Sequence, residues 1–332
     1  MNRKSNWTQW SGTDFEWDAQ LLKFAEPCVY QNSSWGNHRV NFGWGILRLI
    51  DETQKSCIAQ VLVKTKFGTT IAWVPGGPVG DLITLDKGFD ELILKLTGNS
   101  RLFIRINLLE PTDSSSQQLL RANGWQSAKN KFSTGLSLNY SLQIEEQSRR
   151  ELLSTNWRRN LRRGETRNID PYIWSSYSAE DIANIYHQLG EYKDLETNVD
   201  TPSLETISSL INNCRQNLVL VRCDDSNGNP LAIRGALCLG SKAWDIFAAA
   251  TPVGRKQYSS YVTAWKLFSV CVDMNITNYD LSGIDPINNK GVYDFKKGTG
   301  AKEVTYLGEW DRSAPFFVAP LAGRLIGYRR NL

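Results

Sequence analysis

Histidine is nearly absent: the 332-residue chain has two, His38 and His187. A metal site built on imidazoles cannot be assembled from so few, and a Ser-His-Asp or Cys-His nucleophile system has only two candidate bases. Chemistry is therefore expected to come from positioning, with no metal. The six cysteines, Cys28, Cys57, Cys214, Cys223, Cys238 and Cys271, never fall at C-x-x-C spacing. That argues against a zinc ribbon or redox pair and predicts buried free thiols in a reducing compartment. No apolar run reaches the roughly 18 residues that span a bilayer, and no apolar stretch follows Arg3 and Lys4. The expectation is a cytoplasmic protein.

What is present is ordinary in bulk and uneven in detail. Hydrophobic residues make up 41% and charged residues 22%, enough for two normal cores in a chain longer than a single core usually grows. The net charge is +4, yet residues 149–167 hold seven arginines against two glutamates. The basicity is one patch.

The punctuation of the chain repeats. A polar turn at Asp51-Glu52-Thr53 precedes strands expected over 58–64 and 69–74, then Pro78-Val79-Gly80, a helix, a strand over 102–109 stopped by Glu110-Pro111, and a helix ending at Gly124. The second half has the turn Asp224-Asp225-Ser226, strands over 233–239 and 244–249, Pro252-Val253-Gly254, a helix, a strand over 279–284 stopped by Asp285-Pro286, and a short helix before Gly300. The paired markers stand 174, 175 and 176 residues apart. Such a duplication predicts two α/β domains, mixed sheets with crossover helices, in which Val79 and Val253 occupy equivalent helix starts. The element order is similar to the GNAT acyltransferase fold, present twice. Expected boundaries are a first GNAT-like domain over 1–145, with the strand 135–140 as its last, and a basic inter-domain helix over 146–168. A second domain follows over 169–310, and a C-terminal segment, 311–332, has the length to cross back onto the first.

Specific residues carry a resemblance. Gln31-Asn32-Ser33-Ser34-Trp35, with Arg39 following, resembles the Q-S-x-x-W-x-x-x-K opening of the FemABX family. Trp73-Val74-Pro75-Gly76-Gly77-Pro78-Val79 is similar to its P-x-G-P-V turn, and Trp157 to Glu165 to its W-R-x-N-I-R-K-A-x segment. Asp280-Leu281-Ser282-Gly283-Ile284 and Phe295-Lys296-Lys297-Gly298 look like its Y-D-x-x-G-I and F-K-x-G-F pair. Arg39 stands for the family's lysine and Thr299 for its last phenylalanine, and no match to its basic, tyrosine-bearing helix appears across 191–203. The resemblance implies a peptidyltransferase that moves an amino acid from aminoacyl-tRNA to an amine of a peptidoglycan precursor.

Under that resemblance, Lys296 is the expected donor to the oxyanion of a tetrahedral intermediate, with Phe295 beside it at the substrate. Its plain alternative is a solvated charge at a glycine turn. Arg39 is expected to fork onto the acceptor's diphosphate, with Trp35 packing alongside. Glu110 is expected to accept the amine's proton or hold the acceptor, or else to cap the following helix. Asp285 holds the matching place in the second half, where lining a substrate pocket and capping are equally open. Arg158, Arg159, Arg162 and Arg163, at i and i+4, form a basic face suited to tRNA phosphates, to solvent or to anionic lipid. No resident cofactor is expected. Neither proline-glycine loop resembles the R/Q-x-x-G-x-G/A pyrophosphate cradle of acetyl-CoA enzymes. This favours aminoacyl-tRNA as co-substrate, with an acyl-CoA N-acyltransferase of envelope polysaccharide or lipid synthesis, or a non-catalytic tRNA- or lipid-binding relative, as alternatives. The partners implied are aminoacyl-tRNA, a UDP- or lipid-linked muramyl peptide, and peripheral contact with the inner membrane face.

Overall fold

The computed structural model describes residues 5–53, 55–193 and 202–315. The chain divides into two units, Met1–Leu136 with Thr305–Leu332, and Ser137–Val304. The expected break at 145 thus falls at 136, the expected return at 311 begins at 305, and the basic helical stretch belongs to the second unit. The part of the C-terminal segment beyond 315, and most of the 191–203 stretch, lie outside the described residues.

The first unit begins with strand β1 (Trp7–Gln9) and helices α1 (Asp14–Leu21) and α2 (Ser33–Val40). The hairpin-rich strands β2 (Gly45–Asp51), β3 (Cys57–Lys66), β4 (Thr69–Pro75) and β5 (Val79–Gly80) follow. Helix α3 (Lys87–Thr97) crosses to β6 (Arg101–Pro111), and α4 (Ser114–Ala122) leads to β7 (Gln126–Ser127). The second unit contains β8 (Leu136–Ser141), α5 (Glu146–Leu152), α6 (Thr155–Glu165), β9 (Pro171–Ile173), α7 (Ala179–Lys193) and α8 (Leu204–Cys214). It continues through β10 (Leu218–Asp224), β11 (Pro230–Leu239), β12 (Lys242–Ala250), α9 (Pro252–Lys256), α10 (Ser259–Asp273), β13 (Asn278–Asp280) and α11 (Lys290–Lys297). Strand β14 (Lys302–Ala314) ends the described chain.

The two sheets are built alike. In the first, β1, β2, β3 and β4 run antiparallel in turn, and β4 pairs parallel with β6 after the α3 crossover. In the second, β9, β10, β11 and β12 run antiparallel and β12 pairs parallel with β13 after α9 and α10. A hairpin can close antiparallel strands, whereas the parallel pair needs a crossover, and the helix supplies it in both halves. The strands are apolar on both faces where they are central: β3 is buried over its first six residues and β11 over its last nine, as sheets covered on both sides require.

Two expectations are corrected here. The strand expected to close the first domain, β8, pairs antiparallel with β13 in the second unit. The sixth strand of the first sheet is β14, from the far end of the chain, antiparallel to β6 from Tyr306↔Pro111 to Ala314↔Leu102. Each half therefore takes its last strand from the other half's sequence. Val79 and Val253 also differ locally. Pro252 opens α9, with Thr251 Oγ1 accepting from Gly254 N at 3.1 Å. Val79 instead lies in β5, paired with β3, and α3 starts only at Lys87. The cause is close backbone approach: a Cβ on Gly80 (φ 117°) would stand 2.0 Å from the Ser56 carbonyl oxygen. This tight packing holds the first-half chain extended where the second half has begun to coil.

All six cysteines are buried free thiols. Among the described residues no helix is long and apolar enough to cross a membrane. Nor does any group of three or more His, Cys, Asp or Glu side chains come together so as to hold a metal ion.

Candidate active site

Within the second unit, a cavity of about 540 Å³ is walled by α6, β11, β12, α9, α10 and α11. Helix α6 enters through its sequence: Ser154 accepts from Trp157 N and caps it, while Trp157, Asn160, Leu161 and Gly164 recur on one buried face. That face leaves Arg158, Arg159, Arg162 and Arg163 exposed. Gly164 has no room for a side chain, since a Cβ would lie 2.7 Å from Val262. Trp157 reaches the cavity edge-on to Tyr261 (centroids 5.1 Å apart) and tilted against Phe295 (5.7 Å). Asn160 Nδ2 donates to the Tyr261 hydroxyl at 3.0 Å.

Lys296 is a buried cation of this wall, at 9% exposure, and Arg234 lines the same cavity. Its ammonium donates to the carbonyls of Ser282 (3.3 Å) and Gly283 (3.1 Å). Those carbonyls are presented by a built loop. Ser282 sits at φ 60°, its N–H donating to Asp280 Oδ1 at 2.7 Å and its hydroxyl to the Asp245 carbonyl at 2.7 Å. Ser137 Oγ also donates to that Asp280 oxygen. Thr299, in the place of the family's phenylalanine, is buried and donates to the Lys296 carbonyl at 2.7 Å, tying down the end of α11. Burial holds the Lys296 pKa below the ordinary lysine value, with the Asp245 carboxylate acting in the opposite direction. Two of three ammonium donors are used by carbonyls, leaving one for a substrate oxygen. Lys297, by contrast, is exposed and paired with Glu303 at 2.9 Å.

Sequence reasoning missed a buried pair that shares the cavity with Lys296. Arg234, 5% exposed, forks onto Asp245 with both N···O distances at 2.9 Å, and the Tyr279 hydroxyl donates to the same carboxylate at 2.8 Å. Arg234 also faces the Phe295 ring, 5.3 Å from its centroid. The available signal was a lone charge inside each of two apolar strands, β11 and β12.

The remaining predicted residues are distributed as follows. Asp285 is not on the cavity wall; its carboxylate accepts from Ile287 N (3.0 Å), Asn288 N (2.8 Å) and Asn288 Nδ2 (2.8 Å), shaping the turn before α11. Arg158 donates to the carbonyls of Arg150, Glu151 and Leu153, closing the α5–α6 corner. Arg163 donates to the Tyr258 hydroxyl at 3.1 Å. Arg159 donates to its neighbour Asn156 Oδ1 at 2.8 Å.

Arg39, Trp35 and Glu110 belong to the first unit. Gln31 anchors the start of α2, the helix of Trp35 and Arg39: its amide donates to Pro75 O at 2.8 Å and accepts from Gln60 N at 2.6 Å. Half-buried Arg39 lies 5.3 Å from the Phe42 centroid and 5.6 Å from that of Trp73, and its Nε has no hydrogen-bond partner among the described residues. Trp35 packs edge-on to Tyr30, centroids 4.7 Å apart. Glu110 is half-buried, and burial followed by the charge of Asp113 raises its pKa. The helix cap that Glu110 was expected to supply comes from Asp113, which accepts from Ser116 N at 2.8 Å.

Residues 182–317, which include the Ser282 loop and Lys296, match the FemAB family model. The match covers 136 of the 332 residues of the chain. Its fold is similar to that of a solved FemX, at 14% identity and TM-score 0.77, with 92% of this chain and 96% of that one covered. L-PGS from Bacillus licheniformis is similar at 14% identity and TM-score 0.55, covering 94% and 96%. A tandem GNAT protein from the clavulanic acid biosynthesis pathway is similar at 9% identity and TM-score 0.54, covering 94% and 99%. These likenesses show the fold, two GNAT-like halves. No curated protein sequence matches the chain. In this chain, two of the motifs that carried the resemblance meet at one cavity, with Trp157 of one against Phe295 of the other.

Proposed function

We propose that this chain is a FemABX-type enzyme that transfers an aminoacyl group from aminoacyl-tRNA to an amine of a UDP- or lipid-linked muramyl peptide, a step of peptidoglycan synthesis at the inner face of the plasma membrane. The observation that carries the reading is Lys296, a buried ammonium fixed by two carbonyls on the wall of a cavity. The amine's lone pair attacks the ester carbonyl carbon and the carbonyl π electrons move to oxygen. Collapse of that adduct expels the ribose oxygen, which leaves with a proton originating on the amine. The third N–H of Lys296 stabilises the oxyanion, and Phe295 and Trp157 bound the acyl group.

Glu110, made more basic by burial, receives the amine's proton or holds the acceptor. Arg39, with an Nε that has no hydrogen-bond partner among the described residues, forks onto the acceptor's diphosphate. The exposed arginines of α6 take tRNA phosphate. The α9 loop supports tRNA over CoA as donor: α9 has five residues and Thr251 already occupies an N-terminal amide, so little remains to cradle a pyrophosphate.

The test is incubation with charged tRNA and either UDP- or lipid-linked muramyl peptide, followed by mass spectrometry for an added residue. Mass gain that requires tRNA supports the reading. Gain with acyl-CoA alone, or activity indifferent to loss of Lys296, overturns it.

A further inference from the structure

At one end of the first unit's sheet, the turn joining β3 to β4 is Phe67-Gly68. Both residues are left-handed, φ 51° and 68°, as two-residue hairpins of this kind require. Asparagine or glycine suits the first position, whereas a phenylalanine is strained there. The Phe67 ring is also 86% exposed, so no burial within the unit offsets the strain. Beside it is Lys66, whose Nζ lies 5.4 Å from the ring centroid. A strained backbone that holds an aromatic ring in water points to something outside the fold.

The surroundings indicate what that is. Strand pairing sets Lys66 beside Thr69 and Thr69 beside Arg101. Lys64 lies 4.7 Å from the Trp44 centroid, on the neighbouring loop. The segments 41–46, 62–72 and 95–104 that form this end contain Lys64, Lys66, Lys95 and Arg101 and no Asp or Glu. The pairing Ala314↔Leu102 brings the end of β14 to the same edge.

We propose that this end of the sheet docks on an anionic lipid bilayer, with Phe67 entering the interface and Lys64, Lys66 and Arg101 set against headgroup phosphates. Cations alone would suit any polyanion. The exposed ring selects the lipid, because an apolar tip gains only where it can leave water. The proposal does not rest on which acceptor the enzyme uses.

The experiment is co-sedimentation of the full chain with phosphatidylcholine vesicles, with and without phosphatidylglycerol. The wild type should partition onto the anionic vesicles, less so as salt rises. Phe67→Asn should lower partitioning by about tenfold, the scale of withdrawing one buried aromatic ring, and Lys66→Gln by about fivefold. Phe67→Asn suits the left-handed turn, so its melting temperature should hold or rise, which separates lost docking from lost folding. Ile287→Asn, at a residue 88% exposed in the second unit, should leave partitioning unchanged. Transfer to a water-soluble UDP-linked acceptor should persist in Phe67→Asn, so failure here is distinct from failure of the catalytic reading. Equal partitioning of wild type and Phe67→Asn, no preference for anionic vesicles, or an effect of Phe67→Asn on tRNA binding in place of vesicle binding would overturn the proposal.

Discussion

Lys296 and Lys297 are adjacent in sequence and opposite in circumstance. One is buried against two carbonyls and the other is exposed against Glu303. Lys296→Met is expected to lower turnover by on the order of 10²-fold, the typical loss of one oxyanion donor, with little change in acceptor binding. Lys297→Met should stay within about twofold, since an exposed ion pair contributes little. A higher Michaelis constant with turnover kept would move Lys296 to substrate binding. The pH profile follows from the sign of the shift. Only the protonated ammonium donates to an oxyanion, and burial lowers its pKa from 10.5. Turnover should therefore fall as pH rises through a value below the ordinary lysine range, and Lys296→Arg should remove that limb if it retains activity. A turnover flat up to the ordinary lysine range contradicts a buried, catalytic ammonium. The F-K-x-G pattern made Lys296 legible as a candidate. Its carbonyl partners were not legible, because a backbone oxygen has no letter in the sequence.

Between elements, the Arg234–Asp245 pair joins β11 to β12 at the cavity wall, where Arg234 is a lining residue. Removing one partner leaves a buried charge uncompensated, so Arg234→Met should cost about 3–5 kcal/mol of stability, read by denaturant unfolding. The double change Arg234→Met with Asp245→Leu should cost less than the sum of the singles; additivity would mean that the two side chains do not couple. Helix α6 divides its arginines: Arg158 is committed to three carbonyls and Arg163 to Tyr258, while Arg159 and Arg162 are exposed. Arg159→Ala with Arg162→Ala should flatten the salt dependence of tRNA binding by about one unit for each phosphate no longer neutralised. Arg158→Ala should instead lower the melting temperature, and an unchanged salt slope in the double variant would return the face to solvent. The helical spacing made the basic face legible. Which arginines remained available depended on the α5–α6 corner, formed by residues that no periodicity brings together.

Across the whole molecule, β14 carries Leu307 and Trp310 into the first unit's core, and its Glu309 and Asp311 hold buried Arg105 at 2.9 and 2.7 Å. Arg312 on the same strand pairs with Asp90. A chain ending at Ala301 is expected to leave the first unit unfolded, seen as loss of amide protection in β2, β3 and β4 by hydrogen exchange. Protection there at the full-chain level would mean that the unit closes without β14. The sequence alone determined that there are two α/β halves with hairpins, crossover helices and a basic helical stretch. Apolar periodicity, proline and glycine set local conformation, and those signals recur at a nearly constant offset. Only the tertiary structure decided that β8 completes the second sheet and β14 the first. A strand's alternating pattern specifies a buried face, but its ladder of backbone N–H and C=O groups is the same for any partner. The choice of edge is settled by which buried side chains, such as Arg105 and its two carboxylates, are satisfied when the strand arrives.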